Sequence, residues 1–114
     1  MTIQQVILLP LVFTVVFAGL QGALYYHAST VAGAAAQDGA RAAAAYTMGS
    51  LEAGRDAAES ALAQSHGALR DYGVTVFGTA DGATVTVTGA ALSIVPGITP
   101  PVARSATLPW ERLT

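Results

Sequence analysis

The chain opens on an uninterrupted apolar run. From Ile3 to Leu24 it reads IQQVILLPLVFTVVFAGLQGAL, with no charged side chain. As an α-helix this stretch spans about 33 Å, close to the roughly 30 Å hydrocarbon core of a bilayer. The charge-free zone continues to Gln37, and Asp38 carries the first formal charge. Tyr25, Tyr26 and His27 follow the run, as expected for an aromatic belt at a membrane interface. Pro10 removes one backbone hydrogen bond near the start of the helix, which membrane helices tolerate. A cleaved secretory signal expects a basic start and a shorter apolar core, and neither is present. A buried core helix would need a larger soluble domain around it than the rest of the chain supplies.

The pattern then changes twice. From Ala28 to Ala45 alanine dominates, and Ala28, Ala32, Ala36, Ala40 and Ala44 recur every four residues. On a helix they form a smooth stripe that lets another helix approach closely. Asp38 and Arg41 are spaced to pair along this helix. Met48-Gly49-Ser50 reads as a break, with Ser50 capping a second, amphipathic helix that carries Glu52 in its first turn. Leu51, Ala58, Leu62, Ser65, Leu69 and Tyr72 give that helix one apolar face, and Gly73 closes it. Glu52, Arg55, Asp56 and Glu59 form its solvated side.

After Gly73 the period becomes two. Val74–Phe77 and Ala83–Thr88 alternate apolar and Thr positions around Asp81-Gly82, the signature of a type I′ hairpin. A two-residue loop sets Val76 opposite Val87 and Gly78 opposite Val85. Pro96-Gly97 suits a turn. Val102 to Leu108 supplies a third strand with Arg104 outward, which a marginal two-stranded sheet needs. Trp110 is expected to cover the small core.

The expected architecture is therefore α+β and membrane-anchored. A long N-terminal transmembrane and Ala-rich helix leads into a second amphipathic helix and a small antiparallel β-hairpin or three-stranded sheet. Residues 1–27 form the transmembrane helix with its interfacial end. Residues 28–72 form the helical stalk, broken near 48–50, and residues 73–114 the β head with its Pro-rich tail.

Composition narrows the function further. The five basic residues are all Arg and scattered, and the net charge is −2, so there is no footprint for nucleic acid. The chain has no Cys, which excludes disulfides and thiolate sites. No metal-spaced cluster, phosphate loop or nucleophile motif is present, and no cofactor is implied. His27 and His66 have no catalytic company. The expected role is interactive rather than enzymatic.

Three segments carry a family resemblance: LLPLV (Leu8 to Val12), ALYYHASTVAGAAAQDGARAA (Ala23 to Ala43) and VTVTGAALSIVPG (Val85 to Gly97), with LPWERL closing the chain. In these the sequence resembles the TadE-like proteins, minor pseudopilins of the tight-adherence (Flp-type) pilus system. The resemblance implies a single-pass protein of the cell membrane, N-terminus cytoplasmic and head outside, that helps initiate or build an adhesive pilus. It implies membrane lipid and other pilins or pseudopilins as partners, together with a prepilin peptidase and the tight-adherence secretion machinery. Family members carry a basic leader ending in Gly, and none stands before Met1. The expectation is a start at the mature residue, a late start codon, or a divergent unprocessed member. They also carry a Glu near the start of the mature helix, where Gln4 or Gln5 stands here. A carboxylate there pairs with a neighbour's N-terminal amine, whereas an amide can hydrogen-bond without neutralising the charge. The assembly contacts expected from the sequence are thus Gln4, Gln5, Ala28, Ala32, Ala36, Ala40 and Ala44. Two other readings compete: a membrane-anchored subunit of a secretion or envelope complex that forms no pilus, and a holin-like pore. The pore would need a second span or a polar helix face, and the sequence offers neither.

Overall fold

The computed structural model describes residues 2–45, 51–94 and 97–110. The break at Met48-Gly49-Ser50, the Ser50 cap, Pro96 and the terminal Glu111-Arg112 pair fall outside the described residues. Helix α1 (Ile3–Ala44) is one continuous helix of 42 residues, about 63 Å long at 1.5 Å per residue. It accounts for most of the longest dimension of the molecule, 74 × 22 × 19 Å. A reciprocal capping box starts it: the Thr2 hydroxyl accepts from the Gln5 amide, and the Gln5 side chain accepts from the Thr2 amide. Arg41 in the last turn suits the helix dipole, and it pairs with Asp38 at 3.7 Å.

Helix α2 (Leu51–Ala63) is shorter than its apolar period implies. It ends at Ala63 and not at Tyr72, because His66 (φ 58°) and Gly67 (φ 80°) both adopt left-handed backbone and turn the chain back. Ser65 bonds the Leu62 carbonyl through both its amide and its hydroxyl, which closes the last turn. Leu69 and Tyr72, expected on the helix, belong instead to a strand.

Three strands follow, β1 (Leu69–Gly78), β2 (Gly82–Ala91) and β3 (Pro101–Pro109), in an antiparallel sheet of order β1-β2-β3. The hairpin register differs from the expected one by two residues. Val76 pairs with Val85 and Val74 with Val87, so the faces are kept but the loop is longer. Positive φ occurs at neither Asp81 nor Gly82, and a type I′ turn requires it at both. Instead the Thr79 hydroxyl accepts from the Asp81 and Gly82 amides, and the Thr79 amide donates to the Gly82 carbonyl at 2.8 Å. Gly82 is needed for another reason: a Cβ there would collide with the Leu108 carbonyl of β3.

β1 also carries a bulge between Arg70 and Gly73, with Asp71 at φ 51°. Leu69 and Val74 are five positions apart and would face opposite ways on a regular strand. The extra residue brings both to the buried side.

Both helices lie on one face of the sheet. α1 covers β2 and β3, while α2 sits beside it over β1. The core combines Ala28, Ala32, Ala35, Ala36 and Ala40 of α1 with Ala58 and Leu62 of α2 and Val74, Val85, Val87 and Val102 of the sheet. The opposite face is Thr-rich, with Thr84 and Thr107 hydroxyls bonded at 2.9 Å. Trp110 packs over Gly78 and donates its indole N–H to the Thr79 carbonyl at 2.7 Å. Arg104 does not point away from the helices. It pairs with Val87 on the helix side of the sheet, and its guanidinium lies across Gly33 and donates to the Ser29 hydroxyl at 2.9 Å.

Candidate membrane and assembly surfaces

Helix α1 has two halves with opposite environments. From Ile3 to Leu20 every large apolar side chain is open, between 49% exposed at Val12 and 80% at Ile3. An apolar surface of that size on a soluble monomer marks a membrane or a protein interface. It is the one helix among the described residues that is long and apolar enough to cross a membrane. From Ala28 to Ala44 the same helix is the spine of the head, and the stripe residues Ala28, Ala32, Ala36, Ala40 and Ala44 are at most 4% exposed.

That placement corrects the reading of the stripe as an open surface for other helices. Its alanines are already covered by α2 and the sheet of the same chain. The physical reason is the same as the one expected for assembly: methyl-only side chains permit close approach. The partner is internal. The closest approach lies at Gly39 and Gly54, where a Cβ on Gly39 would stand 2.9 Å from the Gly54 carbonyl oxygen. One on Gly54 would stand 2.7 Å from the Ala43 Cβ.

The two glutamines separate in role. Gln5 is engaged in the capping box of its own helix. The Gln4 side chain is exposed and makes no hydrogen bond among the described residues, so it is the one of the pair with its amide open to a neighbour. No carboxylate occupies the first turn.

Gln21 is the residue that sequence reasoning missed. It sits at the end of the open apolar half and holds the chain between β2 and β3. Its side-chain nitrogen donates to the Leu92 carbonyl and its oxygen accepts from the Ile94 amide, both at 3.0 Å. A lone amide inside an otherwise apolar run was the available signal, since such a group must find partners. Tyr25 and Tyr26 follow one turn later, 43% and 74% exposed. Among the described residues no group of three His, Asp or Glu side chains is arranged to hold a metal ion. His27 and His66 are both exposed.

Neither the curated proteins nor the solved structures contain a match to this chain. The model of the family described as TadE-like protein does match, over residues 1–41. That segment runs through the open apolar half of α1 and most of its buried half, and over it the chain is similar to the TadE-like family.

Proposed function

We propose that the chain is a non-enzymatic minor pseudopilin that helps initiate or build a tight-adherence pilus for surface attachment. It is inserted as a single span, N-terminus cytoplasmic and head outside. One observation carries this reading: a single unbroken helix is bare and apolar over its first half and built into a head over its second. Such a subunit can lie in lipid with its head in water. It can then exchange lipid for the bare halves of neighbouring helices without unfolding anything. The match of residues 1–41 to the TadE-like family supports the association with a pilus. The partners in this reading are other pilins or pseudopilins, the prepilin peptidase and the tight-adherence secretion machinery. In this reading Gln4 is the residue that meets a neighbour's N-terminus.

A second reading has one observation in its favour. With Gln4 and Gln5 and no carboxylate in the first turn, nothing there can neutralise a neighbour's amine. That suits an anchored subunit of a secretion or envelope complex that never enters a filament. Deleting the gene and counting pili separates the two, with protease added to intact cells as a topology check. The first reading expects loss of pili and external cleavage of the head. Unchanged pili would overturn it in favour of the second, and a protected head would overturn the topology.

A further inference from the structure

We infer that Leu92, Ile94 and Ile98, between β2 and β3, form a second membrane contact, seated by Gln21 in the interfacial layer of the bilayer that α1 crosses. The inference rests on α1 being a membrane span.

The depth follows from the helix. Gln21 lies eighteen residues beyond Ile3, about 27 Å along the axis, against a hydrocarbon core of about 30 Å. Tyr25 and Tyr26, the aromatic pair suited to the interface, stand one turn further out. The side chain that grips the connection is therefore on the membrane side of the belt. Both ends of its amide are used, on Leu92 and Ile94, so the grip fixes the height of the connection and also satisfies an amide that lipid could not.

The head is oriented to match. Ala83, at one end of β2, packs with Ala43 and Ala44 at the far end of α1. Leu92, just past the other end, meets Gln21. β2 thus runs down α1 toward the membrane. The Ala91 amide bonds the Pro100 carbonyl at 2.9 Å, so the described residues Leu92, Ile94 and Ile98 lie past this end of the sheet. Ile94 and Ile98 are 41% and 51% exposed there. No charged residue occurs between Gly82 and Arg104. Arg104 itself is held at Ser29, eight residues or about 12 Å further from the membrane than Gln21. An apolar, charge-free projection beside an apolar span, with the first cation held well above it, matches the boundary between headgroups and acyl chains.

The absence of Cys allows single-site labelling of the full chain. Variants I94C, I98C, V12C and A80C, each carrying an environment-sensitive fluorophore, would be reconstituted in phosphatidylcholine–phosphatidylglycerol vesicles. Quenching by lipids brominated near the glycerol backbone (for position 12, by lipids brominated deep in the acyl chains) would be compared with quenching by aqueous iodide. Val12 reports the span, and Ala80 reports the hairpin turn at the distal end of the head. The expected result is strong lipid quenching at positions 12, 94 and 98, several-fold above that at position 80, and a blue-shifted emission at 94 and 98. Lipid quenching at 12 but not at 94 and 98 would overturn the second contact while leaving the span. No lipid quenching at 12 would overturn the span and this inference with it. Labels at 94 and 98 shielded from both quenchers would place a protein partner there instead of lipid, and would also overturn it.

Discussion

Three helical glycines make a sharp test of how the head is packed, because one substitution should change sign between them. Replacing Gly by Ala inside a helix ordinarily gains about 1 kcal/mol from propensity. At Gly33 the new Cβ would meet only the Arg104 guanidinium, at 3.3 Å. That group ends a long flexible side chain and can shift by a few tenths of an ångström. Gly33→Ala should therefore stabilise the head, by up to about 1 kcal/mol. At Gly54 the new Cβ would stand 2.7 Å from the Ala43 Cβ and 2.8 Å from the Gly39 carbonyl oxygen. Neither neighbour can swing aside, since both are fixed to the α1 backbone. Overpacking of this kind costs about 1–3 kcal/mol. After the propensity gain, Gly54→Ala should range from neutral to about 2 kcal/mol destabilising. Gly39→Ala should behave like Gly54→Ala, and because the two share one contact the double variant should lose less than the sum. Urea titration of the full chain in detergent micelles, followed by far-ultraviolet circular dichroism, reads the midpoints. A Gly54→Ala midpoint as high as that of Gly33→Ala would refute the close crossing of α1 and α2.

Other substitutions probe the core and its cover. Leu62 is the largest α2 side chain in the core, 2% exposed, and Leu62→Ala should cost about 2–5 kcal/mol in the same titration. Ala36→Leu forces extra carbons into a fully buried position, so it should lower the midpoint by about 1–3 kcal/mol. Impaired assembly with an unchanged midpoint would return the stripe to an intermolecular role. Trp110→Phe keeps a ring over Gly78 but loses the bond to the Thr79 carbonyl, a loss of about 0.5–1.5 kcal/mol. An unchanged midpoint would show that this bond contributes nothing to the head.

The parts of the fold that were legible in the sequence are those where one local pattern governs. The apolar run and the alanine repeat specify a single long helix, and the Val/Thr alternation assigns the two faces of β2. The misreadings arise where a local backbone irregularity or a distant contact decides. Leu69 and Tyr72 continue the apolar period of α2, but the left-handed pair His66-Gly67 interrupts it, and the bulge at Asp71 hides the strand by breaking its two-residue alternation. Asp81-Gly82 reads as a tight turn, yet Gly82 is glycine because the Leu108 carbonyl lies against it. The stripe from Ala28 to Ala44 reads as a close-packing surface, and the structure buries it within the chain. Its partner was not visible, because nothing in a row of methyl groups distinguishes a neighbouring subunit from the chain's own sheet.

The four-residue repeat of that stripe bears on how the head is held in place. A ridge of identical methyl groups looks the same after a shift of four residues, about 6 Å, so alanine packing alone would let the head ratchet along α1 at small cost. What prevents this is a few non-repeating marks on the rail. Gln21 clasps Leu92 and Ile94 at the lower end, Ser29 meets Arg104 in the middle, and Gly39 admits Gly54 near the top. These marks act as detents and set the height of the head above the apolar half. Removing one should leave a folded head that can settle a turn away. In the pseudopilin reading, where the head sits at a fixed distance from the membrane or from its neighbours, that slip would matter more than a modest loss of stability.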